Sequence, residues 1–484
     1  MKQWTMNLFL VISILVFGTA YTQTAVRPDS PATVPPIVPT ELHLQLASQF
    51  SAFKQRHPFS GYLLVATRGK IVFEQGDGLI ELSTRTAPNG QTRFQIGSLT
   101  KQFVAAAILV LVDHGKLDLA AKIGRYMPDL AKPVGDLTIH QLLSNTSGIA
   151  PAPFAEGATE QLLGPVNWAE LLATFVEKPL RFKPGSKFEY SNSGFLLLGI
   201  LIERVAGMSA TSFFKEHLFQ NVEMPHTFLP ESGDFQQIRS QHTAGQFAVG
   251  YGRTSSGSLE PHQEAFDMSV IFTAGAMVST AHDLFNWNEA LHSGKIFNSN
   301  LVEKMTTENL GQYCYGLYRS NLTNGALAYS HSGGIYGFHS YLLRVPNSQT
   351  TVVILSNDEN QYIGRLGGQL AAIAAGQSAP LTAGNPPTTK HLAALTGTYA
   401  GQYLGNPIEF NLKSTQDQLF LIRPNGDQTP LSAESNHRFY APASRATYSF
   451  IHGDETTITL NMEVDGIPVM TLRKKSQGKG AGYN

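Results

Sequence analysis

The chain has 484 residues, 42% hydrophobic and 15% charged, a balance that fits a globular protein of two or three domains and excludes a disordered one. Lys plus Arg number 35 against 36 for Asp plus Glu, so no basic excess points to nucleic acid. Cys314 is the only cysteine; an intrachain disulfide is excluded, and the thiol is expected to be buried and inert.

Residues 1–20 read as a signal peptide: Lys2 gives a positive start, residues 8–17 are an apolar run, and Gly18-Thr19-Ala20 offers small residues for cleavage. The run is short for a membrane span and no second long apolar stretch follows. The expectation is export, periplasmic or secreted, with no stable span after cleavage. Five prolines make residues 21–40 an extended linker. A helix is predicted over 42–54, with Leu42, Leu46, Phe50 and Phe53 on one face. Residues 62–66 and 70–75 read as paired strands around a Thr67-Arg68-Gly69 turn. Almost every residue from 102 to 112 is apolar, which predicts a helix buried on all sides.

Thr138 and Thr280 stand three residues before Gln141 and Asp283, a capping box and a near relative of one. Residues 194–205 predict another apolar helix, stopped near Gly207, and 341–345 with 351–355 a hairpin. Residues 377–389 form a second Pro-rich linker. Short runs at 418–422, 448–452, 456–460 and 469–472 then predict an all-β module, barrel or sandwich, over 390–475, before a tail at 476–484.

Three motifs carry chemistry. Ser-x-x-Lys occurs four times, but only Ser98-Leu99-Thr100-Lys101 stands between a strand exit and the buried helix. Three residues along a helix is about 4.5 Å of rise on one face, which lets the Lys101 amine approach the Ser98 hydroxyl. Burial of that amine lowers its pKa and makes it a proton acceptor; the bland reading is a Ser98 N-cap with Lys101 solvated. Tyr190-Ser191-Asn192 is the only Tyr-x-Asn and precedes the second apolar helix. A phenol becomes a useful base only beside positive charge, which Lys101 can supply, and Asn192 can orient Lys101 or a substrate amide; alone, the motif would be a turn Asn beside a half-buried Tyr. His-x-Gly occurs twice. His292-Ser293-Gly294 is simplest as a helix C-cap, whereas His331-Ser332-Gly333-Gly334 precedes a predicted strand. There Gly334 N–H can serve as an oxyanion donor beside that of Ser98. No metal-ligand spacing, Walker loop or Gly-x-Ser-x-Gly elbow is present, so neither a metal nor another cofactor is implied.

In this chain order the motifs resemble those of the serine β-lactamase and penicillin-binding-protein superfamily, in the branch of class C β-lactamases, D-alanyl-D-alanine carboxypeptidases and related esterases. The resemblance covers roughly residues 42–375 and includes His114-Gly115-Lys116-Leu117-Asp118-Leu119, Leu142-Leu143-Ser144-Asn145-Thr146-Ser147-Gly148 and Ser279-Thr280-Ala281-His282-Asp283-Leu284 as recurring structural blocks. It implies an α+β catalytic domain over 41–376, a central antiparallel sheet flanked by helices with a helical region beside it. Ser98 would be the acylated nucleophile, Lys101 and Tyr190 would share proton transfer, and Asn192 would contact Lys101 or the acyl group. His331, Ser332, Gly333 and Gly334 would form the substrate-flanking strand. The implied substrates are small esters, peptides or β-lactams. One departure stands out: relatives often carry Lys-Thr-Gly where this chain has His331-Ser332-Gly333, exchanging a permanent cation for a group mostly neutral at pH 7. That weakens the case for β-lactam and D-alanine carboxylate recognition and puts ester or peptide hydrolysis on at least an equal footing. The rival reading is a noncatalytic peptidoglycan- or peptide-binding protein on the same scaffold, and a second rival gives the β module the main role.

Overall fold

The first hairpin turns where two residues accept left-handed backbone. β1 (Gly61–Thr67) and β2 (Lys70–Asp77) meet at Arg68 and Gly69, with φ of 51° and 72°, as a two-residue connection requires. β3 (Phe94–Gln95), β4 (Tyr251–Arg253), β5 (Leu259–Pro261) and β6 (Val278–Ser279) form two short pairs, β3–β6 and β4–β5. β7 (Tyr318–Asn321), β8 (Leu327–Ile335), β9 (Phe338–Val345) and β10 (Thr350–Ser356) join the first hairpin in a six-stranded sheet of order β2-β1-β10-β9-β8-β7. Every pairing in it is antiparallel. The structure is a computed structural model that describes residues 40–475 apart from 131, 153–167, 243–244, 254–258, 263–266, 323–324, 359–361, 377–386, 404–405, 416–417, 423–425, 436, 442–445, 453–457 and 465–466. The expected signal peptide, the 21–40 linker up to residue 39, most of the 377–389 linker and the tail lie outside the described residues.

Strand alternation sends side chains to two cores. From β10, Val352 and Ile354 join Leu46 and Phe50 of the helix Glu41–Lys54 and Leu366 and Leu370 of the helix Ile363–Ala374. Val353 and Leu355 join the larger core on the other face. That core holds the helix Thr100–Asp113, in which residues 100–111 are all buried, together with the helices Asn192–Ala206 and Ala281–His292. A helix apolar all round has no solvent face to offer, so it becomes the centre of the core. The predicted caps form. Thr138 and Gln141 make both bonds of a capping box, the Thr280 side chain accepts from Asp283 N, and the Asn192–Ala206 helix stops at Gly207 with φ 73°. Gly294, at φ 75°, follows the C-cap of the Ala281–His292 helix.

The carboxy-terminal strands resolve the barrel-or-sandwich choice. β11 (Gly397–Tyr403), β12 (Asn406–Ser414), β13 (Leu419–Ile422), β14 (Gln428–Ser435), β15 (Arg438–Ala441), β16 (Ala446–His452), β17 (Ile458–Val464) and β18 (Ile467–Lys474) form a closed barrel. Each strand pairs with the next, and β11 returns to β18 through Tyr399–Lys474, Ala400–Arg473 and Gly401–Leu472. Leu421, Phe439, Tyr448 and Leu460 fill its interior, joined by Leu392 and Leu395 of the preceding helix Thr389–Leu395. On the outside, the Tyr440 ring packs 4.3 Å from Tyr362, which stacks 3.8 Å from His57 beside the first helix. Among the described residues no single helix is long and apolar enough to cross a membrane.

Candidate active site

Ser98 sits in a one-turn 3-10 segment, Gly97–Leu99, that leads directly into the buried helix Thr100–Asp113. No side chain caps that helix, so the N-cap reading of Ser98 fails and its hydroxyl is left for other work. The turn is pinned on several sides. Ile96 N donates to Met277 O at 3.0 Å and Thr100 Oγ1 to Gly97 O at 2.7 Å, while Ser340 Oγ of β9 donates to Ile96 O at 2.7 Å. Gly97 has φ 50°, and a Cβ there would stand 2.8 Å from Gly334 N. Only glycine lets the nucleophile turn and the β8 backbone approach this closely.

Lys101 is wholly buried. Its amine donates to Ser98 Oγ at 3.1 Å and to the Ala274 carbonyl at 2.6 Å. The Ala274 carbonyl comes from the short helix Phe272–Gly275. Burial pulls the Lys101 amine from 10.5 down to about 7, because a buried ammonium loses its hydration. Near neutrality a large fraction is therefore free base, within reach of the hydroxyl it would deprotonate. The same Nζ lies 4.9 Å from the centre of the Tyr190 ring and 5.6 Å from that of Phe195.

Tyr190 precedes Ser191, the N-cap of the Asn192–Ala206 helix; Asn192 is the first helical residue and is half-buried. The Tyr190 ring stands 6.0 Å from His331 and 6.1 Å from Tyr313. Tyr318 lies 5.5 Å from His331. His331 is buried, and its Nδ1–H donates to Ser332 O at 2.7 Å. Burial, then the Tyr190 and Tyr318 phenols, raise the fully buried Tyr313 well above 10, with the Asn145 side chain opposing. The third motif lies inside β8 and directly ahead of β9, the strand predicted to follow it. β7 pairs with β8 only over residues 327–330, whereas β9 pairs with it through Ile335. Gly333 lies against the nucleophile turn, where a Cβ would collide with the Ile96 carbonyl.

Ser98, Lys101, Tyr190, His331 and Gly333-Gly334 are thus gathered around one turn. The sequence reading missed Ala274, whose contribution is a backbone atom, and Tyr313 and Tyr318, which carry no motif. It took Asn145 as part of a structural block. Among the described residues no group of three or more His, Cys, Asp or Glu could hold a metal ion.

A buried Ser–Lys pair in front of an antiparallel sheet covered by helices is the arrangement of the β-lactamase and penicillin-binding class. A sequence model of the Beta-lactamase family matches residues 46–375, and the chain belongs to that family, whose members are serine hydrolases. A penicillin-binding protein of Bacillus subtilis (strain 168) is 24% identical over 90% of this chain and 98% of its own length. The protein flp of Staphylococcus aureus (strain MW2) is 28% identical over 63% of this chain and 60% of its own. In fold, the octameric penicillin-binding protein homologue from Pyrococcus abyssi aligns with TM-score 0.63 and 23% identity, over 90% of this chain and 100% of that one. The D-amino acid amidase from Ochrobactrum anthropi SV3 aligns with TM-score 0.56 and 21% identity, over 66% and 92%.

Proposed function

We propose that this chain is an exported serine hydrolase that turns over an ester or a D-amino-acid peptide or amide, with weak β-lactamase activity at most, through an acyl-enzyme on Ser98. The observation that carries this reading is the fully buried Lys101 amine, 3.1 Å from Ser98 Oγ and brought to about 7. The neutral amine takes the Ser98 proton as Oγ attacks the substrate carbonyl. Oxyanion charge is met by the N–H groups of Ser98 and Gly334. Tyr190, above the Lys101 ammonium so formed, passes a proton to the leaving group, and the same pair activates the water that deacylates Ser98. Asn192 contacts the acyl group, and the His331–Gly334 stretch of β8 aligns the substrate backbone.

The absence of a fixed cation at His331 supports substrates without a carboxylate at that point. The D-amino acid amidase and the penicillin-binding homologues among the relatives support amide and peptide chemistry. In this reading residues 41–376 are the catalytic body, 390–475 an accessory module, and 1–20 the signal peptide. No observation favours the purely binding role, which has no need of a desolvated lysine beside a serine hydroxyl. Intact-mass and peptide mapping after treatment with a fluorophosphonate or β-lactam probe is expected to place one adduct on Ser98, lost in Ser98→Ala. Full turnover of a small ester by Ser98→Ala would end the proposal.

A further inference from the structure

The loop that delivers Tyr190 has no regular structure of its own, yet it is held along its length by one short turn. Arg181 N donates to Gly148 O at 2.7 Å, Gly185 N to Thr146 O at 2.8 Å, and Glu189 N to Asn145 O at 2.9 Å. Ser191 N donates to Asn145 Oδ1 at 3.0 Å. Asn145 therefore grips the chain on both sides of Tyr190, with its carbonyl before the tyrosine and its side chain after it. It does so from backbone at φ 56° while 1% exposed. Left-handed backbone is costly for most residues and tolerated by asparagine and glycine. A fold needing only a turn here would be served by glycine; asparagine adds the side-chain oxygen on Ser191 N and an interaction with the Tyr313 phenol.

We propose that Asn145 is a positioning residue that fixes the Tyr190 phenol relative to Lys101 and Ser98. This rests on the acyl-enzyme reading given above. The consequence is geometric. Without the Oδ1 bond, the chain around Tyr190 loses the clamp after the tyrosine while the Glu189 clamp before it remains. A displacement of about an ångström in a proton-transfer group costs up to roughly a hundredfold in rate.

Asn145→Gly keeps the carbonyl clamp and the left-handed turn but removes the oxygen, and Asn145→Asp restores the oxygen. With p-nitrophenyl acetate as substrate, Asn145→Gly is expected to lower kcat at least tenfold with KM little changed. It should melt close to the wild-type chain, since relief of backbone strain offsets the lost hydrogen bond. Asn145→Asp should recover most of kcat, and its pH–rate profile should be displaced to higher pH, because a carboxylate near the site favours the protonated amine. Wild-type kcat in Asn145→Gly would overturn the inference. So would a large drop in melting temperature that Asn145→Asp repairs with no kcat or pH-profile signature, since that marks a purely structural role. Ser98→Ala in parallel separates the two levels: if it stays active the acyl-enzyme reading falls and this inference with it, whereas a dead Ser98→Ala beside a normal Asn145→Gly defeats the inference alone.

Discussion

Replacing Lys101 by methionine isolates what it costs the fold to keep an amine in its core. The amine has no exposed surface and releases its proton at about 7, against 10.5 in an open chain. That difference corresponds to about 5 kcal/mol. The sign follows from proton binding. Between pH 7 and 10.5 the unfolded chain holds the lysine proton and the native chain does not, so this group's contribution to stability rises with pH in that window. Below pH 7 both states are protonated and the native state bears the whole penalty. Lys101→Met removes the titration while keeping a side chain of similar length. The hydrogen bonds lost to Ser98 and Ala274 shift its stability by an amount that does not depend on pH. Urea unfolding of both proteins at pH 6, 7, 8 and 9 is the assay, and other titrating groups cancel in the comparison. From pH 7 to pH 9 the wild-type chain should gain about 2 kcal/mol relative to Lys101→Met. Parallel stability curves across that range would show that the amine is not desolvated, and the basis for its role as a proton acceptor would go with it.

Two further outcomes test the packing around the site. Gly333→Ala sets a methyl group against the Ile96 carbonyl and Ser340 Oγ; it should cost about 1–3 kcal/mol in urea unfolding and slow probe labelling of Ser98, and an unchanged midpoint and rate would refute the close approach of β8 to the nucleophile turn. Cys314 is wholly buried, with its thiol pushed up to about 12 mainly by burial, so iodoacetamide at pH 8 should leave the native chain unmodified and label it once unfolded, while rapid native labelling would contradict that packing.

The sequence was most legible where the information is local. Apolar continuity announced the helix Thr100–Asp113, hydroxyl caps announced the starts after Thr138 and Thr280, and a two-residue turn announced the first hairpin. The Ser98–Lys101 pair was readable for the same reason, being one helical turn of contiguous chain. What stayed hidden was non-local. The Ala274 carbonyl meets Lys101 across 173 residues through a backbone atom that any residue would supply. Asn145 meets Ser191 across 46 residues, and nothing near it in sequence indicates that its side chain points at a tyrosine loop. The strand formed by His331–Gly334 was legible through the family resemblance and not from its own weak propensity, because pairing with β9 decides the conformation there. Barrel and sandwich were inseparable because the same short strands serve either, and the choice depends on whether β11 finds β18 at the far end of the module.

That closure limits what the module can do. A sheet wrapped back on itself pairs each strand on both sides, so among the described residues no strand is left as an open edge with which to recruit an extended peptide or a sister strand. Whatever it meets must be recognised by side chains or by the connecting turns.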